Sequence, residues 1–125
     1  MGKTILVVED NVVNQKLLAL LLKSCGYECA FAADGMTGVK MAATNDFAAV
    51  LMDIEMPDMD GLTATCIIRD WELKQPTRRR VPIIAVTAHA VPGCRERYLA
   101  AGMDDFVAKP VTRQNMVALL QKWAP

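Results

Sequence analysis

The chain has 125 residues, 53% hydrophobic and 22% charged, which fits one ordinary folded domain spanning 1–125 and excludes a disordered polypeptide. Lysine plus arginine equals aspartate plus glutamate, 14 of each, so no overall field directs it to nucleic acid or to an anionic membrane. The longest apolar run, LLALLL at 17–22, is too short to cross a bilayer, and no signal-peptide pattern opens the chain; a cytoplasmic protein, or the cytoplasmic part of a membrane-bound one, is expected.

In chain order, TILVV (4–8) is a short β-branched run typical of a strand buried on both faces. A helix is predicted over about 12–24 and stopped by Gly26. YECAF (27–31) alternates as a strand does, and a helix over about 35–44 starts at Asp34. AAVLM (48–52) is the next buried strand, followed by a helix over 62–73. PIIAV (82–86) is a strand, 91–101 a helix from near Pro92 to Gly102, and DFVA (105–108) the last strand. Thr112 opens a final helix with Met116, Leu119, Leu120 and Trp123 on one face.

Five strands alternating with five helices define an α/β fold with right-handed crossovers, a doubly wound parallel sheet covered on both sides. In such sheets binding sites form beyond the carboxyl ends of the strands. Glu9 and Asp10 follow the first strand, Asp53 ends the third, Thr87 the fourth, and Lys109-Pro110 the fifth. If the first and third strands are neighbours, their acids begin roughly 5 Å apart, and like charges so close call for a cation between them. Oxygen-only ligands suit Mg²⁺, with Mn²⁺ as an alternative. Lys109 and the Thr87 hydroxyl then suit a second anion such as a phosphoryl group, with Asp53 as its nucleophilic acceptor. Any one of these residues alone reads more simply as a helix cap, a loop hydroxyl or a surface lysine.

ILVVEDN (5–11), VLMDIEMPDMDG (50–61), PIIAVTAHA (82–90) and AAGMDDFVAKPV (100–111) resemble the receiver domain of two-component response regulators, with the flavour of receivers fused to hybrid histidine kinases. The resemblance covers essentially the whole chain. It implies a flavodoxin-like strand order 2-1-3-4-5 and Asp53 as phosphoacceptor. It implies that Asp10, Asp53 and the Glu55 backbone carbonyl ligate Mg²⁺, with Glu9 acting through water. It also implies Thr87 as the switch hydroxyl, Lys109 as the phosphoryl's ion-pair partner, and a cis Lys109-Pro110 peptide. Many relatives have tyrosine where this chain has Phe106, so a switch through Phe106 rests on packing, without a hydroxyl. Glu55 and His89 flank the approach path for water and are expected to tune the lifetime of the acyl phosphate. A histidine kinase or a histidine phosphotransfer domain is the implied partner; direct nucleic-acid or membrane contact is not expected.

On the first helix, Val13, Leu17, Leu20, Leu21 and Ser24 are expected to face the core. Asn11, Gln15, Leu18 and Leu22 then fall on the opposite face, as a docking strip for a partner helix. KQPTRRR (74–80) reads as a solvated basic loop. The four cysteines show no C-x-x-C pair and read as reduced, mostly buried thiols, and the eight methionines as core filler.

Three rivals stay open. A haloacid-dehalogenase-type phosphatase also uses an aspartate at a strand end, with Glu55 standing for its second acid, but carries a cap or further acidic motifs. A flavodoxin-like cofactor binder shares the architecture but wants a hydroxyl- and glycine-rich loop after the first strand. A degenerate receiver that only binds partners is the third. A calcium loop at DMDG (58–61) fails, because in that register it opens on Met56 and closes on Ile67. As a receiver, the domain is expected to catalyse its own phosphorylation and dephosphorylation at Asp53 without a turnover substrate.

Overall fold

The computed structural model describes residues 3–125. Its elements are β1 (Thr4–Val8), α1 (Val12–Ser24), β2 (Glu28–Ala32), α2 (Gly35–Thr44), β3 (Ala49–Asp53), α3 (Gly61–Leu73), β4 (Ile83–Thr87), α4 (Cys94–Ala100), β5 (Asp105–Ala108) and α5 (Arg113–Trp123). The strands form one parallel sheet, as the alternating pattern predicts, in the order β2-β1-β3-β4-β5 that the resemblance implies.

Strand alternation divides the core into two layers. Ile5, Val7, Leu51, Ile84 and Val86 pack with Leu18 and Leu22 of α1 and Met116 and Leu120 of α5. Leu6, Val8, Val50, Met52, Ile83 and Ala85 point the other way, toward Ala42 of α2, Ala64 and Ile68 of α3, and Tyr98 of α4. Burial on both faces explains the nearly continuous apolar runs of β1, β3 and β4.

Polar residues phase the helices. Asn11, Asp34, Asp60 and Thr112 each accept from the backbone N–H three residues on, at 3.0, 2.7, 2.8 and 3.1 Å. The Thr37 backbone N–H bond also holds the exposed Asp34 carboxyl below its ordinary pKa. At the far end of α1, Gly26 takes φ +86°, while Gly26 N–H and Tyr27 N–H donate back to Lys23 O and Leu22 O. The fourth helix departs from expectation. Gly93, at φ +88° and with no side chain to cap the helix, delays its start to Cys94, so it is shorter than 91–101.

The face assigned to α1 from the sequence is overturned except at Leu21, which is half-buried against the core. Leu18 and Leu22 are core residues, 4% and 0% exposed, whereas Val13 and Leu20 stand 72% and 68% exposed. The leucine-rich run offers two helical stripes, and burying the 18/22 pair lets α1 interlock with Met116, Leu119 and Leu120 of α5. The thiols also depart from expectation, since only Cys94 is buried and Cys66 is exposed. Nor is the basic loop merely solvated. Arg78 donates to Ala42 O and Asn45 O, and Arg80 to Asp104 and Gly102 O, pinning the loop to α2 and to the α4–β5 turn.

Candidate functional site

The carboxyl ends of β1, β3, β4 and β5 deliver the site. Glu9 stays in line with β1 through its backbone N–H, which donates to Ala32 O at 3.0 Å. Gln15 Nε2 donates to Glu9 O at 2.6 Å, and the Asn11 N–H to Glu9 Oε2 at 3.1 Å, so the first turn of α1 holds this acid in place. Asp53 is the last residue of β3 and pairs in register with Val86, placing Thr87 one step beyond it on the adjacent strand.

Three of these polar residues are almost wholly buried: Glu9 at 1%, Asp53 at 2% and Thr87 at 1% exposure. Asp10 is exposed. One carboxylate oxygen each from Glu9, Asp10 and Asp53 lies within 4.8 Å of the others. Lys109 Nζ bridges the buried pair, 3.2 Å from Asp53 Oδ1 and 3.3 Å from Glu9 Oε1. Burial disfavours the ammonium, but the negative charges of Asp53 and Glu9 outweigh it and raise the Lys109 pKa above that of a free lysine.

The site keeps capacity for a cation. Glu9 Oε1 lies in ion-pair range of Lys109 but outside hydrogen-bonding geometry, leaving a buried oxygen with no hydrogen-bond donor among the described residues. Orphaned buried oxygens are rare, and one beside two further carboxylates fits a hard divalent ion that takes only oxygen ligands. Asp53 Oδ1 is occupied by Lys109 and by the Glu55 N–H at 3.1 Å, while Oδ2 accepts no hydrogen bond among the described residues.

The loop from Asp53 to α3 folds back on its own strand. Gly61 N–H donates to Ile54 O at 3.1 Å. A Cβ on Gly61 would lie 2.2 Å from the Asp53 carbonyl oxygen, so only glycine allows this approach. Asp58 sits at φ 68° in the same loop, where Met59 N–H closes on Pro57 O at 2.8 Å.

Glu55 and His89 meet across the mouth of the site, Oε2 to Nε2 3.4 Å, both substantially exposed. The Lys109–Pro110 peptide is cis. Phe106 is half-buried and packs against the inner layer of α2, α3 and α4. Asn11 and Gln15 stand beside the site, whereas Leu18 and Leu22, assigned with them to a docking strip, are in the core and cannot meet a partner. The exposed apolar residues of α1 are Val12, Val13, Leu17 and Leu20. Leu17 also lines a groove of about 210 Å³ that runs past Asn14 to Lys109 and Pro110.

Tyr98 escaped the sequence reading. It is buried on α4, its hydroxyl donates to Thr87 Oγ1 at 3.1 Å, and its ring meets Phe106 edge-on at 5.9 Å. The apolar spacing of a seven-residue helix gives too little phase to show which side chain points at the sheet.

Sheet order and rim together define a doubly wound α/β domain with an acidic, lysine-bridged site at its strand ends. A family profile described as the response regulator receiver domain matches residues 5–121, and the chain belongs to that family. Hybrid signal transduction histidine kinase G of Dictyostelium discoideum is 39% identical over 123 residues, 97% of this chain but only 4% of the kinase. The chain thus spans a small part of such relatives. The receiver domain of sensor histidine kinase PA1611 from Pseudomonas aeruginosa PAO1, with a magnesium ion coordinated in its active site cleft, superposes with TM-score 0.85 at 46% identity, covering 98% of each chain. The receiver domain of Ssk1, crystallised with the histidine phosphotransfer protein Ypd1 of Saccharomyces cerevisiae, matches with TM-score 0.88 at 27% identity, covering 98% of this chain and 88% of that one.

Proposed function

We propose that this domain accepts a phosphoryl group on Asp53 from a phosphohistidine and relays that state through its surface. The observation that carries the reading is the divided hydrogen bonding of the Asp53 carboxylate. Oδ1 is fixed by Lys109 and the Glu55 N–H, while Oδ2 accepts no hydrogen bond among the described residues. Oδ2 is therefore the oxygen free to attack phosphorus. As the O–P bond forms, the P–N bond of the donor breaks, and the imidazole leaves with the electron pair and takes up a proton.

Lys109 then pairs with a phosphoryl oxygen, and the Thr87 hydroxyl donates to another. Asp10, Asp53 and the Glu55 carbonyl, with Glu9 beside them, would hold a divalent cation such as Mg²⁺, which would supply positive charge to offset the transferred group. Glu55 and His89, paired across the mouth, govern how readily water reaches the acyl phosphate.

The donor is carried by a helical bundle, either a histidine kinase or a phosphotransfer domain. The complex of the similar Ssk1 receiver with Ypd1 supports this, as does the exposed α1 strip of Val13, Leu17 and Leu20 beside the site. Similarity to receivers of hybrid kinases points to the same role in a larger cytoplasmic or membrane-anchored kinase. No helix among the described residues is long and apolar enough to cross a membrane.

Incubation with Mg²⁺ and acetyl phosphate, followed by intact mass, tests the reading. One added phosphoryl is expected on the wild type, and none on Asp53→Asn or after chelation. Sustained turnover of a phosphomonoester with no retained phosphoryl would point to a phosphatase instead.

A further inference from the structure

Thr87 Oγ1 accepts from the His89 backbone N–H at 3.0 Å and from the Tyr98 hydroxyl at 3.1 Å. A hydroxyl has two lone pairs and one proton, so both acceptor positions are filled and the proton is its remaining capacity. Thr87 is thereby set as a donor, the polarity a phosphoryl oxygen requires. The second of these bonds comes from α4, a helix that contributes no other group to the site. The aromatic on β5, Phe106, has no hydroxyl, but its ring meets Tyr98 at an interplanar angle of 64°. One buried side chain thus touches the site hydroxyl, belongs to α4 and packs on β5.

We infer that Tyr98 is the positioning residue of the switch: its hydroxyl sets Thr87 as a hydrogen-bond donor in the resting site and transmits movement of Thr87 to α4. The inference rests on Asp53 being the phosphoacceptor. When the Thr87 hydroxyl turns toward a phosphoryl group, a stationary Tyr98 loses its acceptor inside the apolar layer formed with Ile83, Ala85, Cys94 and Met103. A buried hydroxyl left unpaired is unfavourable, so the Tyr98 ring follows Thr87 and carries α4 with it. In this chain the hydroxyl coupling runs through the helix, and Phe106 follows by packing.

The chain has two tyrosines, and the other, Tyr27, bonds Ala124 O near the C-terminus, which makes it an internal reference. The full chain labelled with ¹³C at the tyrosine ζ carbon is loaded with acetyl phosphate and Mg²⁺, with intact mass taken on the same sample. The Tyr98 resonance is expected to move with the phosphorylated fraction while that of Tyr27 stays still. In Tyr98→Phe, which keeps the ring against Phe106, the α4 amide shifts per phosphorylated molecule should fall to less than about half of wild type. A loaded wild-type chain with an unmoved Tyr98 resonance overturns the inference and leaves Asp53 as acceptor. Undiminished α4 shifts in Tyr98→Phe overturn it as well. If the wild type takes no phosphoryl, the acceptor reading fails and this inference with it. The wild-type measurement decides the matter even if the variant does not fold.

Discussion

Lys109 holds together a pair of buried carboxylates that otherwise repel each other. Its Nζ sits 3.2 Å from Asp53 and 3.3 Å from Glu9, both nearly inaccessible to water. Lys109→Met leaves those charges without their cation. Breaking a fully buried pair costs about 3–5 kcal/mol, and the partial exposure of Lys109 reduces this to about 1–3 kcal/mol at neutral pH, read by urea unfolding in chelator. The pH dependence has a definite sign. Burial lowers the Lys109 pKa, but Asp53 and Glu9 raise it more, so the folded value lies above the unfolded one. Its contribution is therefore complete below the unfolded lysine pKa of about 10.4 and is lost as pH rises through the folded value. The stability gap between wild type and Lys109→Met should stay constant through neutral pH and narrow above about pH 10.4. A gap that widens there would show that Lys109 does not hold its proton through these carboxylates.

At the scale of elements, α1 separates two faces that its composition blurs. Leu18→Ala opens a hole between the sheet and α5 and should cost about 2–5 kcal/mol, while Leu20→Ala should stay within about 0.5 kcal/mol of wild type. The Leu20 exchange should nevertheless slow transfer from a phosphorylated phosphotransfer domain, with loading from acetyl phosphate unchanged. Equal stability losses at the two positions would contradict the observed face. Why the sequence misleads at α1 and not at α5 is a matter of contrast. In α5, Met116, Leu119 and Leu120 are interleaved with Arg113, Gln114, Asn115, Gln121 and Lys122, so one stripe stands out. Between Leu17 and Leu22 every residue is leucine or alanine, and only packing against the sheet and α5 selects a stripe. Strands were legible because burial on both faces leaves unbroken apolar runs; the runs read for β3 (48–52) and β4 (82–86) lie one residue early, and the strands run on to Asp53 and Thr87, the polar residues expected at their ends. The site acids and Lys109 were legible for the same reason, as polar residues closing apolar strands. Tyr98 was not, because its role depends on the rotation of a short helix begun at an uncapped glycine. The arginines of the basic loop were also misread, since their partners, backbone carbonyls and the Asp104 carboxylate, lie 22 to 36 residues away in the chain.

For the molecule as a whole, the site exists because chain direction across the sheet reverses beside β1. From β1 the chain moves outward to β2, then returns to the other side of β1 as β3 and continues to β4 and β5. Loops after β1 and β3 therefore part in opposite directions and leave a cleft between them, and the acids at that cleft come from both strands. Folding must gather these acids, with one buried Glu9 oxygen lacking a hydrogen-bond donor among the described residues, before any cation binds. A divalent ion that binds only the gathered arrangement stabilises the fold by mass action, about 2.7 kcal/mol at a free concentration one hundred times its dissociation constant. For a domain of this size, that corresponds to a rise in melting temperature of roughly 5–15 °C. Sodium offers these carboxylates no doubly charged oxygen-seeking ligand, so matched ionic strength in NaCl should reproduce little of the shift. Asp10→Asn removes an acid from the cluster without opening a cavity, and should lose most of the Mg²⁺-dependent rise while the metal-free protein melts no lower than wild type. A melting temperature indifferent to Mg²⁺ in the wild type, or equally responsive in Asp10→Asn, would mean that these oxygens are gathered by the fold for some purpose other than holding a cation.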